Sequence, residues 1–177
     1  VATTLGDGYA HWLLEELPRM IALGAKLTEC DAVIAHEAGG LGRAALARLG
    51  FAGRVIGPRR RAHYGCERLV VPSLVGRAGW PTTAVVRSVK AFAAETGEGR
   101  SPWGERIYVS REKAGRRRVT NEAALMARLA ERGFVTVRAE EWSWAEQRAG
   151  FRGAKEIVAP HGAGLANLVW CAPGTRV

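Results

Sequence analysis

Cysteine is scarce in this chain of 177 residues and poorly placed for its usual work. Cys30, Cys66 and Cys171 lie far apart, and no Cys-x-x-Cys occurs. That excludes a disulfide framework and a zinc site of ordinary spacing, and a reducing, cytoplasmic setting fits best. The histidines, His11, His36, His63 and His161, are equally dispersed. Asp-x-Asp is absent, so the sequence supports no carboxylate-held divalent ion, and no metal or other cofactor is expected. No apolar run approaches the ~18 residues of a membrane-spanning helix. The chain opens at Val1 rather than methionine and stops at Gly174-Thr175-Arg176-Val177, which reads as the start of another strand. A fragment of a longer protein is expected.

Apolar residues make up 47% of the chain, enough for one core or two small ones, and charged residues 24%, ordinary for a globular protein. The charge is unbalanced, with a formal net of +9 and runs at Arg59-Arg60-Arg61 and Arg116-Arg117-Arg118. Such an excess attracts polyanions or an anionic membrane, so peripheral association with the inner membrane face is one expectation. A solvated basic face is the other. A basic nucleic-acid-binding module is an alternative, but no basic motif interleaved with aromatics accompanies the charge, and no specific nucleic acid is expected as partner.

The apolar pattern alternates between helix and strand periods. Tyr9 to Leu27 has helical spacing at Leu13, Leu17, Met20, Ile21 and Leu27, with Pro18 predicted to kink or split it. Residues 31–36 read as a strand, Leu41 to Leu49 as a helix stopped by Gly50, and residues 54–57 and 68–71 as further strands. A loop is predicted at 72–82, a helix at 82–95 and a linker at 97–102. Then the alternation restarts: strand 106–110, helix 121–132 closed by Gly133, strand 134–137, a helix from Ser143 and strand 156–159. Strands alternating with helices predict an α/β fold with a parallel, doubly wound sheet, whose ligands sit at the carboxyl ends of strands.

The most informative stretch is Ala159-Pro160-His161-Gly162-Ala163-Gly164-Leu165-Ala166-Asn167. It links a predicted strand to a run that can begin a helix. Backbone N–H groups at such a helix start lack intrahelical partners and favour an anion. Glycines let a phosphate approach closely. Close packing of the turn alone would use the same small residues. A second glycine pattern, Gly40-Leu41-Gly42-Arg43-Ala44-Ala45, fits Gly-x-Gly-x-x-Ala after a strand, and Arg59, Arg60 and Arg61 suit a 2′-phosphate. It lacks the acidic ribose partner, and Glu37, Ala38 and Gly39 lengthen the turn, so an NADP site is the weaker reading.

Taken in order, several segments resemble glycosyltransferase family 61. They are Tyr9-Ala10-His11-Trp12-Leu13-Leu14-Glu15 through Leu17-Pro18-Arg19, then Tyr108-Val109-Ser110-Arg111, then Arg118-x-x-Asn121-Glu122 and Gly133-Phe134. Glu146-Gln147, Phe151, Ala154, His161-Gly162-Ala163-Gly164-Leu165-x-Asn167 and Pro173-Gly174 complete the series. The resemblance implies a GT-B-like architecture: two Rossmann-like parallel-sheet halves facing a cleft. Residues 1–97 would form an incomplete acceptor-side domain and residues 98–177 a truncated nucleotide-sugar-binding domain. It implies an inverting transferase taking a sugar from a nucleotide-sugar, expected to be a UDP-sugar, to a glycan, lipid-linked or protein hydroxyl. Bacterial relatives resemble capsular polysaccharide biosynthesis enzymes. A non-catalytic nucleotide-sugar binder is the remaining alternative.

Inverting transfer needs a base, a held sugar and stabilisation of the departing diphosphate. The resemblance makes Glu15 the base, with His11 next. Four residues apart, they share a helix face; an exposed polar pair of that spacing would contribute only tenths of a kcal/mol. Donor binding is assigned to Arg111, Arg118, Gln147, His161, Gly162, Ala163 and Gly164. Arg111 has the rigid fork that suits phosphate, and its alternative is an ordinary surface arginine. Arg118 matches the family's arginine three before Asn121, whereas Arg116 and Arg117 read as solvated charge. Arg19 is expected to be at most a local salt-bridge partner. Ser143 and Glu146 form a capping-box pattern, which leaves Gln147 freer to face the donor. Asn167 either fixes the loop or touches the donor, and core packing is preferred over ligand stacking for Trp142 and Trp144.

Overall fold

The computed structural model describes residues 6–76, 80–94 and 101–177. The chain divides into two compact units, Val1–Ala93 and Ala94–Val177. The predicted linker at 97–102 lies largely outside the described residues, as does the expected boundary between 97 and 98.

The first unit opens with α1 (Tyr9–His11), which runs without a break through a π-helical turn (Trp12–Glu16) into α2 (Leu17–Leu23). This is how the chain accommodates Pro18. Proline cannot donate to the Leu14 carbonyl, and its ring presses on that group in a regular α-helix. Widening the preceding turn relieves the clash without breaking the helix. The widened segment still buries one face, with Trp12, Leu13, Leu17 and Met20 wholly out of solvent.

Two short parallel strands follow, β1 (Ala32–Ile34) and β2 (Arg54–Ile56), in register at Val33 and Val55. Between them lies α3 (Leu41–Arg48), which ends as its sequence predicts. Gly50 takes φ +81°, its N–H bonds the Ala47 carbonyl, and the Phe51 N–H bonds the Leu46 carbonyl. That is a Schellman stop, which needs a residue at ease in the left-handed region. Met20, Leu27, Val33, Ala35, Leu46 and Phe51 form the core. The later helix α4 (Thr83–Ala94) buries Val85, Val89 and Ala93.

The strand predicted at 68–71 does not form. Leu69 and Val71 stand 70% and 67% exposed in an irregular segment. A strand needs an edge to pair with, and the local pattern says nothing of whether one is within reach. The segment is held by a side chain instead: Arg19 donates from Nε (3.0 Å) and Nη2 (2.8 Å) to the Pro72 carbonyl.

The second unit is an alternation of β3 (Arg106–Val109), α5 (Glu122–Ala130), β4 (Val135–Val137), α6 (Trp144–Gly153) and β5 (Glu156–Val158). Its three strands are parallel in the order β4-β3-β5. Arg176 adds a parallel bridge to Glu156 at the outer edge. The capping box at the start of α6 is complete, with Ser143 and Glu146 bonded reciprocally. Trp103 packs edge-on against Phe151 and Trp142, and a Cβ at Gly150 would run into its ring. Trp144 packs edge-on against Trp170, so both tryptophans in question lie against other rings. The fold is therefore mixed α/β, with two small parallel sheets among the described residues where one doubly wound pattern per half is predicted.

Candidate functional site

Because β3 and β5 are parallel neighbours, the loops leaving their carboxyl ends lie side by side. Arg111 follows β3 and His161 follows β5. The β3 loop is organised by a carboxylate that the sequence reading left without a role. Glu122, buried at the start of α5, accepts from the Tyr108 hydroxyl (2.8 Å) and from the Arg111 backbone N–H (2.9 Å). Burial pushes this carboxyl up, but the bonds from Arg111, Tyr108 and Ser110 and the charge of Arg138 outweigh it. The Glu122 carboxyl is held below its ordinary value. Burial, reinforced by the same carboxylate, raises the Tyr108 phenol well above its own. Glu122 was visible only as part of the Arg118-x-x-Asn121-Glu122 match.

Arg111 then closes the loop over itself. Its Nε donates to the Arg117 carbonyl (3.2 Å) and its Nη2 to the Arg116 carbonyl (2.8 Å). The remaining Nη1 lies against Gly162, where any Cβ would collide with it. Glycine at 162 is thus explained by the close approach of a guanidinium. Arg117, expected as solvated charge, instead reaches the second loop, its Nη1 2.7 Å from Nδ1 of His161. A guanidinium only donates, so Nδ1 accepts and the imidazole proton sits on Nε2. Arg118 is exposed, and no described residue bonds its side chain. Arg117 was not distinguishable from Arg116 in the sequence because its partner lies 44 residues away.

After Gly162 the chain turns into a 3₁₀ helix, Ala163–Trp170, begun by the Leu165 N–H bonding the Gly162 carbonyl (3.0 Å). Among the described residues, none accepts a hydrogen bond from the N–H of Gly162, Ala163 or Gly164. The three are exposed or half-buried rather than turned into the core. Three unbonded amides, the Nε2–H of His161 and the charges of Arg111 and Arg117 together make a cationic surface rich in hydrogen-bond donors.

Gln147, expected to be free to face the donor, is engaged within the protein. Its amide nitrogen donates to the carbonyls of Ala139 (2.7 Å) and Trp142 (3.0 Å), and its oxygen accepts from Asn167 Nδ2 (2.9 Å). Asn167, wholly buried, also accepts from Trp170 Nε1 (3.0 Å). Both side chains brace the loop from behind.

In the first unit, the π-helical turn carries two histidine–carboxylate pairs. His11 Nδ1 lies 2.7 Å from Glu15 Oε1, with the side chains 33% and 13% exposed, so the pair is half-buried rather than a solvated one. Glu15 lines a shallow crevice with Leu14, Leu74, Val75, Trp80 and Pro81. The next residue, Glu16, is wholly buried and holds His36 by both Nδ1 (2.6 Å) and the backbone N–H (3.1 Å). His36 thereby sits fixed beyond the carboxyl end of β1. Nothing local in the sequence links residues 16 and 36.

The Gly40-Leu41-Gly42 turn offers no comparable anion surface. Its Gly40 and Gly42 N–H groups both bond the Glu37 carbonyl, at 2.8 and 2.9 Å. Arg43 pairs with the Glu37 carboxylate at 2.5 Å. The donors a pyrophosphate would need are already engaged. Among the described residues, no group of three or more His, Cys, Asp or Glu side chains gathers as a metal-binding set. No helix among them is long and apolar enough to cross a membrane.

A family model described as Glycosyltransferase 61 matches residues 9–177. No curated protein matches the chain.

Proposed function

Since the chain belongs to the glycosyltransferase 61 family, whose members take a sugar donor and an acceptor, we propose that it is an inverting, GT-B-type transferase using a nucleotide-sugar. The donor, a UDP-sugar in this reading, lies against the second unit. Its diphosphate takes hydrogen bonds from the amides of Gly162, Ala163 and Gly164 and from His161 Nε2. Arg111 and Arg117 supply charge, and Arg118, unbonded by described residues, is available to join them. Preorganised donors aimed at a leaving group stabilise the charge that develops on it.

Glu15, oriented by His11, acts as base. The acceptor hydroxyl gives its proton to the Glu15 carboxylate as its oxygen attacks the anomeric carbon. The bond from that carbon to the diphosphate oxygen breaks on the opposite face, and the electron pair leaves with the diphosphate. One displacement inverts the anomeric configuration.

The observation that carries this reading is the set of three unbonded amides beside Arg111 and His161. Calorimetric titration with UDP, GDP and CMP, with and without Mg²⁺, tests it. Saturable UDP binding that is lost in His161→Ala and in Arg111→Ala is expected. Equal response to all three nucleotides, or unchanged binding in both variants, contradicts it.

A further inference from the structure

Exposed apolar side chains are concentrated in one part of the first unit. Tyr64, Leu69, Val70, Val71, Leu74 and Trp80 are six of the nine large apolar residues that stand exposed among the described residues. They fall within a span of seventeen positions. Contiguous exposed apolar groups mark interaction surfaces. The segment is not loose, since the buried Arg19 fork grips the Pro72 carbonyl in its middle.

The same region is strongly cationic. Residues 54–68 hold five arginines (Arg54, Arg59, Arg60, Arg61 and Arg68) against one carboxylate, Glu67. Arg59, Arg60 and Arg61 are exposed, and no described carboxylate pairs with them. Arg68 has only a distant ion pair, 3.8 Å from Glu29. Arginines, aliphatic side chains and an exposed tryptophan in one segment match the layered chemistry of a bilayer surface. Guanidinium groups meet anionic headgroups, tryptophan sits at headgroup level, and leucine and valine enter the acyl boundary. A nucleic acid would satisfy the arginines but leave Leu69 and Val71 in water.

We propose that residues 59–76, with Trp80, form a docking surface for an anionic lipid bilayer. Leu74 and Trp80 also line the Glu15 crevice. On the reading of Glu15 as base, on which this step alone rests, the acceptor hydroxyl belongs to a lipid-linked glycan presented at that bilayer.

Flotation with phosphatidylglycerol/phosphatidylcholine vesicles and with pure phosphatidylcholine vesicles tests the surface. The chain is expected to float only with the anionic vesicles. Replacing Arg59, Arg60 and Arg61 by glutamine lowers partition at least about tenfold. Leu69→Ser with Val71→Ser lowers it several-fold at constant salt, and both variants keep the parent melting temperature and UDP titration. The proposal is overturned if the anionic vesicles bind no better than neutral ones, or if the serine variant partitions like the parent. It is also overturned if the arginine and serine variants instead lose binding to RNA or lose self-association. A parent chain that floats with the anionic vesicles but binds no UDP would count against the transferase reading and leave the surface standing.

Discussion

Arg117 and His161 come from loops 44 residues apart in sequence, and their side chains meet at 2.7 Å. The contact fixes which imidazole nitrogen faces outward, because a guanidinium has no lone pair to offer. Removing Arg117 therefore frees the ring to turn. Arg117→Ala is expected to weaken UDP binding by about tenfold, the loss of one charge-assisted contact. Nitrogen chemical shifts of His161 should report an Nε2–H tautomer in the parent and a mixture in the variant.

Gly162 separates geometry from stability. A methyl group at this position collides with Nη1 of Arg111, the tip of a side chain that can swing away. Gly162→Ala should fold with a nearly unchanged melting temperature and displace Arg111 from the carbonyls of Arg116 and Arg117. Nucleotide affinity should fall by about 1–3 kcal/mol, read by calorimetry. An unchanged affinity would mean that the position of the guanidinium is immaterial.

The second unit should be acid-sensitive through Glu122. Its carboxyl is held below the ordinary carboxylate value, so folding is favoured wherever Glu122 is ionised in both states. That stability is fully present above about pH 5, since the unfolded group titrates near ~4.3. It is lost as pH falls through the lower folded value. Urea midpoints measured between pH 7 and pH 3 should decline over this window. Glu122→Gln should flatten the decline and cost about 2 kcal/mol at pH 7, the scale of hydrogen bonds to a charged group.

Glu15→Gln keeps the size and crevice contacts of the side chain and removes its capacity to take a proton. Transfer should fall by about 10²–10⁴ while UDP titration is unchanged. Retained turnover would remove Glu15 as base and direct attention to His36, which Glu16 holds at the end of β1.

Features set by neighbours in sequence were legible before any coordinates. The Ser143–Glu146 capping box and the glycine stops at Gly50 and Gly133 depend on a few consecutive residues, and they form as read. So does the strand that delivers His161 and Gly162 to the sheet's carboxyl edge. Features set by distant partners were not. Residues 68–71 have strand-like side chains but pair with no strand among the described residues, so they stay irregular. Glu16 with His36, and Arg117 with His161, join segments that only the folded chain brings together. Gln147 looked free because its own helix does not use it; its partners are a preceding loop and Asn167. Pro18 announced a disturbance, but whether it would be a break or a widened turn depended on how much of that helix is buried.

The proposed donor site rests on the backbone N–H groups of Gly162, Ala163 and Gly164, and those protons can be watched directly. In amide proton–nitrogen spectra recorded during UDP titration, all three should move downfield and saturate together, at the concentration that calorimetry gives for binding. Unmoved resonances at saturating UDP, with shifts elsewhere in the chain, would show that the nucleotide sits somewhere else.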